Sequence, residues 1–160
     1  MRTFIAFIAI LLLISACSTT NSFVSEKAEV KNKALGIAYF NITASKNKKS
    51  NDSVCTCIAQ AIKTTLIPYL SKAGFKVYHL GEDTVADSLP KASYADVDYV
   101  LNGSGIVDRV GSSSFMEQLS LEIRDVRTKE TIASASFKGV STGAAKAANK
   151  LGNSLLAKIK

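Results

Sequence analysis

The chain begins with a continuous apolar run, not with an alternating pattern. Phe4 to Ile14 is apolar over about eleven residues, which is shorter than the roughly 20 residues that span a bilayer. Arg2 precedes this run, and the small residues Ser15 and Ala16 follow it. A positive start, a short apolar stretch and small residues are typical of a secretory signal peptide. We therefore predict that residues 1–16 are a signal that is removed on export.

Beyond residue 33 the apolar positions recur with the periods of strands and helices. The pattern predicts strands over Ala34–Thr43, Phe75–Leu80, Asp98–Val110, Phe115–Val126 and Thr131–Gly139, and helices from Asp52 or Ser53 to Ala73 and from Ser141 or Thr142 onward. Short turns separate the last three strands, so these strands are expected to form an antiparallel meander. The sequence thus predicts a single α/β (α+β) domain over residues 34–160. Its single mixed five-stranded sheet is flanked by two main helices.

The fourth predicted strand shows the clearest alternation. Leu119, Leu121 and Ile123 fall on one face, and the polar residues between them fall on the other. In the preceding strand, Gly103 and Gly105 interrupt the pattern, and glycines inside a strand indicate a bulge or a close backbone approach. We expect Leu121 to be a core residue of the domain.

The segment between the signal and the first predicted strand is polar. It contains Ser, Thr, Asn, Glu and Lys with few large apolar residues, so residues 17–33 are predicted to be a flexible tether. Without residues 1–16 the 160-residue chain keeps 144 residues, enough for one domain with a core. Its formal net charge falls from +7 to +6.

A basic exported protein favours anionic neighbours. These include lipopolysaccharide, phospholipid headgroups, peptidoglycan carboxylates and acidic proteins. Export argues against nucleic acid as the partner. A net charge that serves solubility alone remains an open alternative.

The end of the predicted signal carries a more specific pattern. Ile14-Ser15-Ala16-Cys17 resembles the lipobox of bacterial lipoproteins, and the alternative is an ordinary signal followed by a chance cysteine. The resemblance implies that the Cys17 thiol receives a diacylglyceryl group, that cleavage occurs before Cys17, and that the new amine is acylated. Ser18 replaces the aspartate that commonly retains such proteins in the inner membrane. The resemblance therefore implies an outer-membrane lipid anchor facing the periplasm.

Few residues are candidates for chemistry. His79 is the single histidine, and it lies at a strand end, where a surface or core role is expected. Cys55 and Cys57 are two residues apart at the start of the first predicted helix, so their side chains point to different faces and suit neither a disulfide nor a metal site. Asp96 and Asp98 are interpreted as loop and edge residues with a weak potential for cation binding. We predict no catalytic residues, no cofactor and no metal, and hence no enzyme activity.

Several stretches resemble a group of Gram-negative envelope proteins. The group comprises the periplasmic part of the curli-secretion lipoprotein, the outer-membrane activators of penicillin-binding proteins, and the N-terminal domain of TolB. The stretches that carry the resemblance are Ile37–Asn41, Ala95–Ser104, Leu119–Asp125 and Ile132–Gly139. The chain lacks both the long amphipathic segments of the curli pore and the long linkers of the activators. The resemblance therefore implies the α/β fold and an envelope location, but neither specific activity.

Two functions are compatible with these observations. The first is a non-catalytic accessory or assembly lipoprotein that binds an envelope protein. The second is a carrier lipoprotein that binds lipid or lipopolysaccharide. An isolated apolar pocket would favour the carrier, whereas an exposed surface without such a pocket would favour the accessory factor.

Overall fold

The computed structural model describes residues 18–26, 28–45, 52–80, 90–110 and 113–159, without the side chains of residues 52, 109, 110, 140 and 141. The predicted signal and Cys17 lie outside the described residues. The elements are β1 (Ser18–Val24), β2 (Ala34–Ala44), α1 (Asp52–Lys72), β3 (Lys76–His79), β4 (Tyr99–Val110), β5 (Ser113–Asp125), β6 (Thr131–Thr142) and α2 (Ala144–Lys158), with a short 3-10 turn over Tyr94–Asp96.

All six strands belong to one mixed sheet. Its strand order is β1-β6-β5-β4-β2-β3. β2 is parallel to β3 and β4, whereas β4, β5 and β6 are antiparallel neighbours. The α/β class, the mixed sheet and the meander are confirmed, and the sheet contains one strand more than the five expected.

The additional strand comes from the segment predicted as a tether. β1 pairs antiparallel with β6 from Ser18 to Val24, and the Ser25 N–H continues the ladder by donating to the Ile132 carbonyl at 2.8 Å. The α2 side chains hold β1 from the helix side, since the Ser154 hydroxyl donates to the Ser22 hydroxyl at 2.7 Å. The expectation of a flexible tether is therefore wrong for residues 18–24. Their polar sequence does not indicate a strand, and the strand forms because β6 and α2 supply its hydrogen-bond partners.

Both helices lie on the same face of the sheet and cover the main core. Burial alternates along β5, so every second side chain of that strand points towards the helices. The largest fully buried side chains are Phe40, Phe137, Leu35, Ile37, Ile62, Leu66, Leu101, Met116, Leu119, Leu121, Ile123 and Leu151. The predicted core position of Leu121 is confirmed. Neither described helix is long and apolar enough to cross a membrane.

The glycines of β4 permit close packing, as expected. A Cβ at Gly103 would lie 2.5 Å from the Phe40 ring, and β2 has a register break between Ile37 and Phe40 beside this position. A Cβ at Gly105 would lie 2.9 Å from the Gln118 carbonyl oxygen of β5. Both distances are too short for a residue with a side chain, so only glycine lets Phe40 and the β5 backbone approach β4 this closely.

The ends of the helices agree with the sequence at one place and differ at another. Gly74 follows α1 with φ +105°, as a left-handed residue after a helix should. The start of α2 differs from the prediction, because its N-cap is Gly143, which has no side chain to cap the helix. The sequence predicts that this helix starts at Ser141 or Thr142, but β6 extends to Thr142. Both residues therefore belong to the strand.

Candidate functional site

An open cleft of about 480 Å³ lies at the end of the sheet where β2 and β4 begin and β5 ends. Ser18 lies at the opposite end, because β1 runs antiparallel to β6 and enters its ladder opposite Gly139. The side chains that give the cleft its polar character are Glu29, Lys33, Tyr94, Asp98, Asp125 and Arg127. The cleft is therefore built from three separate segments of the chain, residues 29–33, 94–99 and 125–127.

Asp98 connects the start of β2 to the start of β4. Its carboxylate accepts a hydrogen bond from the Ala34 N–H at 2.8 Å and lies 3.8 Å from the Lys33 ammonium group. The Asp98 N–H in turn donates to the Ala34 carbonyl at 2.9 Å. Asp98 thus holds two strand ends together, which fits its interpretation as an edge residue.

Tyr99 lies below the cleft and fixes the chain segment that precedes β2. Its hydroxyl donates to the Glu29 carbonyl at 2.9 Å, and its ring meets Phe75 edge-on with 6.1 Å between centroids. Burial raises the pKa of the Tyr99 phenol, and the nearby carboxylate of Asp125 acts in the same direction. Tyr99 therefore remains a neutral hydrogen-bond donor at physiological pH.

Two acidic groups, Asp125 in the cleft and Asp96 in the neighbouring 3-10 turn, stabilise turns. The Asp125 carboxylate accepts from the N–H groups of Arg127 and Thr128, each at 2.8 Å, and these bonds hold the pKa of Asp125 below its ordinary value. Asp96 accepts from the Ser93 hydroxyl and N–H, which lowers the pKa of Asp96. The interpretation of Asp96 as a loop residue agrees with its place in the 3-10 turn.

The cleft therefore offers fixed carboxylates, two cations and an exposed tyrosine. The Asp98 and Asp125 carboxylates accept from backbone N–H groups, and these hydrogen bonds hold the strand ends and the turn after β5 in place. Across the described residues, no group of three or more His, Cys, Asp or Glu side chains is placed to hold a metal ion. This arrangement suits recognition of a polar surface through both signs of charge.

The other candidates lie apart from the cleft. Cys55 is half-buried against the core and Cys57 is exposed, and no disulfide joins them. His79 is 3% exposed at the end of β3, and neither ring nitrogen has a hydrogen-bond partner among the residues that the structure describes. A core position for His79 was one of its two expected roles. The structure does not bring these three residues together.

Sequence reasoning did not identify the cleft or one buried charge. The sequence around Tyr94 and Arg127 does not mark either residue as part of a site, because each lies in a turn. The folded sheet brings the two turns into the same cleft. Lys63 is 2% exposed inside α1, with its ammonium group 5.6 Å from the centroid of the Phe40 ring. A lysine on the apolar face of a helix could have signalled this cation–π contact.

Three further cavities are lined by described residues. The apolar one, between α1 and α2, holds about 10 Å³, which is about the space of one water molecule. A cavity of about 350 Å³ lies between the end of β1 and the end of α2, and one of about 410 Å³ lies on the sheet face away from the helices. Both larger cavities are open to solvent at the surface.

No protein-family model matches the chain, and no curated protein does. Solved structures share its fold. The PelC dodecamer from Paraburkholderia phytofirmans has 16% identity and a TM-score of 0.52, over 89% of this chain and 96% of that chain. A DUF4136 family protein from Bacteroides thetaiotaomicron has 12% identity and a TM-score of 0.50, over 89% and 98% of the two chains.

The LpoB C-terminal domain from Salmonella enterica is more distant. It has 14% identity and a TM-score of 0.33, over 70% of this chain and 84% of that chain. At such low identities the similarity concerns the fold alone, and the LpoB match is too weak to support any statement about function.

Proposed function

We propose that the chain is a lipid-anchored lipoprotein of the outer membrane, facing the periplasm, that acts as a non-catalytic accessory or assembly factor by binding an envelope protein. Its anchor is the lipidated Cys17, and its partner-binding site is the cleft. The position of the cleft carries the proposal. It lies at the end of the sheet away from Ser18, more than about 20 Å along the strands at 3.3 Å per residue.

A chain anchored at Cys17 would therefore present the cleft to the periplasm. The cleft also has the side chains of a recognition surface. Tyr94 is 59% exposed, and Arg127 is exposed beside it. Tyrosine and arginine are enriched at protein interfaces, where their large side chains supply contact area and directed hydrogen bonds. Glu29 and Asp98 add negative charge to the same cleft, so a partner with a mixed-charge polar surface is favoured.

The cleft and the three further cavities support the lipid-carrier alternative less than they support the partner-binding function. The apolar cavity between the helices is too small for an acyl chain, and the larger cavities are open and bordered by polar residues. A stoichiometric phospholipid or lipopolysaccharide in mass spectra of the purified chain produced without residues 1–17 would favour the carrier over the accessory factor.

Site-specific crosslinking in cells tests the partner-binding proposal. A photo-crosslinking amino acid at Tyr94 is expected to give a defined protein adduct, and the same amino acid at the exposed Thr64 of α1 is expected to give none. Arg127→Glu should reduce the adduct at Tyr94. Because the PelC neighbour is a dodecamer, adducts between copies of this chain are scored separately. Equal yields at Tyr94 and Thr64, or no adduct at Tyr94, would contradict the proposal.

The non-catalytic part of the proposal has its own test. His79→Gln, Cys55→Ser and Cys57→Ser are each expected to rescue any envelope defect of a deletion strain as well as the wild type does. His79 is buried, so its variant is compared at matched folded protein levels. Loss of rescue in a variant that folds and reaches the membrane would indicate a catalytic site.

A further inference from the structure

The sheet face opposite the helices carries a regular polar array. We call this surface the open face and define it by three rows of side chains that cross β1, β6, β5, β4 and β2. The middle row is Asn21, Ser136, Ser120, Ser104 and Asn41. The row towards Ser18 is Thr19, Lys138, Gln118, Ile106 and Thr43, and the row towards the cleft is Phe23, Ser134, Glu122 and Asn102. Tyr39 of β2 is exposed within the register break beside Asn102 and borders this last row.

The middle row is unusual for a sheet. β-branched and aromatic residues stabilise strands and asparagine is disfavoured there, yet the row contains only serine and asparagine. Such a conflict between local preference and fold is expected at functional surfaces. The short side chains also make the face flat over five strands, about 19 Å at the usual strand spacing. A ligand can therefore approach the sheet closely.

The chemistry of the open face excludes several kinds of ligand. Serine is depleted at protein interfaces, and membrane surfaces select basic and large apolar side chains. The face has little net charge, because the Arg124 guanidinium at its border lies 2.9 Å from the Glu122 carboxylate and Lys138 is the remaining cation of the rows. Its serine hydroxyls and asparagine amides each donate and accept hydrogen bonds. The open face therefore complements an uncharged ligand that is rich in hydroxyl and amide groups.

Two aromatic side chains flank this array. Tyr39 is 69% exposed on β2 and Phe23 is 52% exposed on β1, so they stand on the two outer strands of the array. Phe23 borders the cavity of about 410 Å³ on this face, a volume within the usual range of roughly 300–1,000 Å³ for small-molecule sites. Exposed rings can pack against the C–H faces of sugar rings, with the negative face of the ring meeting the positive hydrogens.

We propose that the open face binds the glycan strand of peptidoglycan. The glycan is a chain of N-acetylated sugars, and it lies across the strands. Its acetamide groups pair with Asn21 and Asn41, its hydroxyl groups pair with the serines of the middle row, and Tyr39 and Phe23 hold sugar rings at the ends. The choice of this glycan rests on the proposed function, which puts the chain in the periplasm, whereas the preference for a polyhydroxylated ligand rests on the face itself.

Sedimentation of the purified full chain with isolated peptidoglycan sacculi tests the proposal. Ser120→Lys puts a long side chain in the centre of the middle row and should weaken binding about tenfold, as the loss of one or two hydrogen bonds would. Ser71→Lys is the matched control, because it adds the same charge at an exposed position of α1. It should bind like the wild type. Tyr39→Ala should bind more weakly, and Tyr39→Phe, which keeps the ring, should retain binding.

The source of the binding is resolved by amidase treatment of the sacculi. Glycan strands stripped of their peptides by an amidase should still compete for the chain, and the peptides released by the same amidase should not. Binding that requires the peptides, or equal binding of the Ser120→Lys and Ser71→Lys variants, would overturn the proposal. These assays use purified components, so their failure would leave the crosslinking test of the cleft unaffected.

Discussion

Replacement of Leu121 by alanine should be among the most destabilising single changes in this domain. Leu121 is 1% exposed on the central strand β5. Its neighbours in the ladder are Gly103 on β4 and Ala135 on β6. Neither neighbour has a side chain that could move into the space left by leucine, so the cavity should persist. Since the cost of such changes rises with the volume of the remaining cavity, we expect about 3–5 kcal/mol.

Urea unfolding of the purified chain measures this cost. With a slope of about 2 kcal/mol per molar urea, a loss of about 4 kcal/mol moves the midpoint by about 2 M. Ser120→Ala is the control, because Ser120 is the exposed neighbour on the same strand, and it should stay within about 0.5 kcal/mol. Equal midpoint shifts in the two variants would refute the assigned face of β5.

Three further predictions concern the anchor, the cleft and the sheet surface. Cys17→Ala should accumulate as unprocessed precursor without acyl label, and normal processing and labelling would remove the lipoprotein proposal. Tyr99→Phe loses the hydrogen bond to the Glu29 carbonyl and should cost about 0.5–1.5 kcal/mol in urea unfolding, with no change if that bond is absent in solution. The hydrogen bond from Thr131 lowers the pKa of Glu122 in the folded chain. The ionised Glu122 carboxylate therefore stabilises the fold above the ordinary glutamate pKa, and this stabilisation is lost as the pH falls from about 5 through the lowered pKa of Glu122. Thr131→Val should therefore reduce the loss of stability over that pH range, and an unchanged pH profile would contradict this role.

The elements with a strong internal pattern could be predicted from the sequence. β5 alternates strictly through Leu119, Leu121 and Ile123, and its buried face follows from that alternation, although the strand begins two residues before the predicted Phe115. Gly74 ends α1 in the conformation that its type favours. In these elements, local preference and the surrounding fold require the same structure.

β1 could not be predicted, because its stability comes from distant residues. Its sequence from Ser18 to Val24 has hydroxyl and amide side chains that are equally compatible with a loop. The strand forms because β6 offers a free edge and α2 supplies Lys150 and Ser154 as partners. These contacts join residues more than a hundred positions apart.

The cleft and the open face depend on register in the same way. The middle row of the open face brings Asn41 of β2 and Asn21 of β1 into line, although three strands separate them in the sheet. A sequence pattern gives the face of each strand but not the alignment between strands. Asp96 and Asp98 were visible in the sequence, whereas Tyr94 and Arg127 meet only after the sheet has formed.

The pairing of β1 with β6 also determines how the domain would respond to mechanical force. In the proposed lipoprotein, a partner moving in the periplasm would pull the domain against its lipid at Cys17. The tension would enter at Ser18, the residue next to the anchor and the first of the strand, along the axis of β1. A pull along the strand axis shears the whole β1–β6 ladder at once, so its hydrogen bonds resist together instead of opening one after another. The anchorage would thus remain attached under tensions that would peel open a strand pulled sideways.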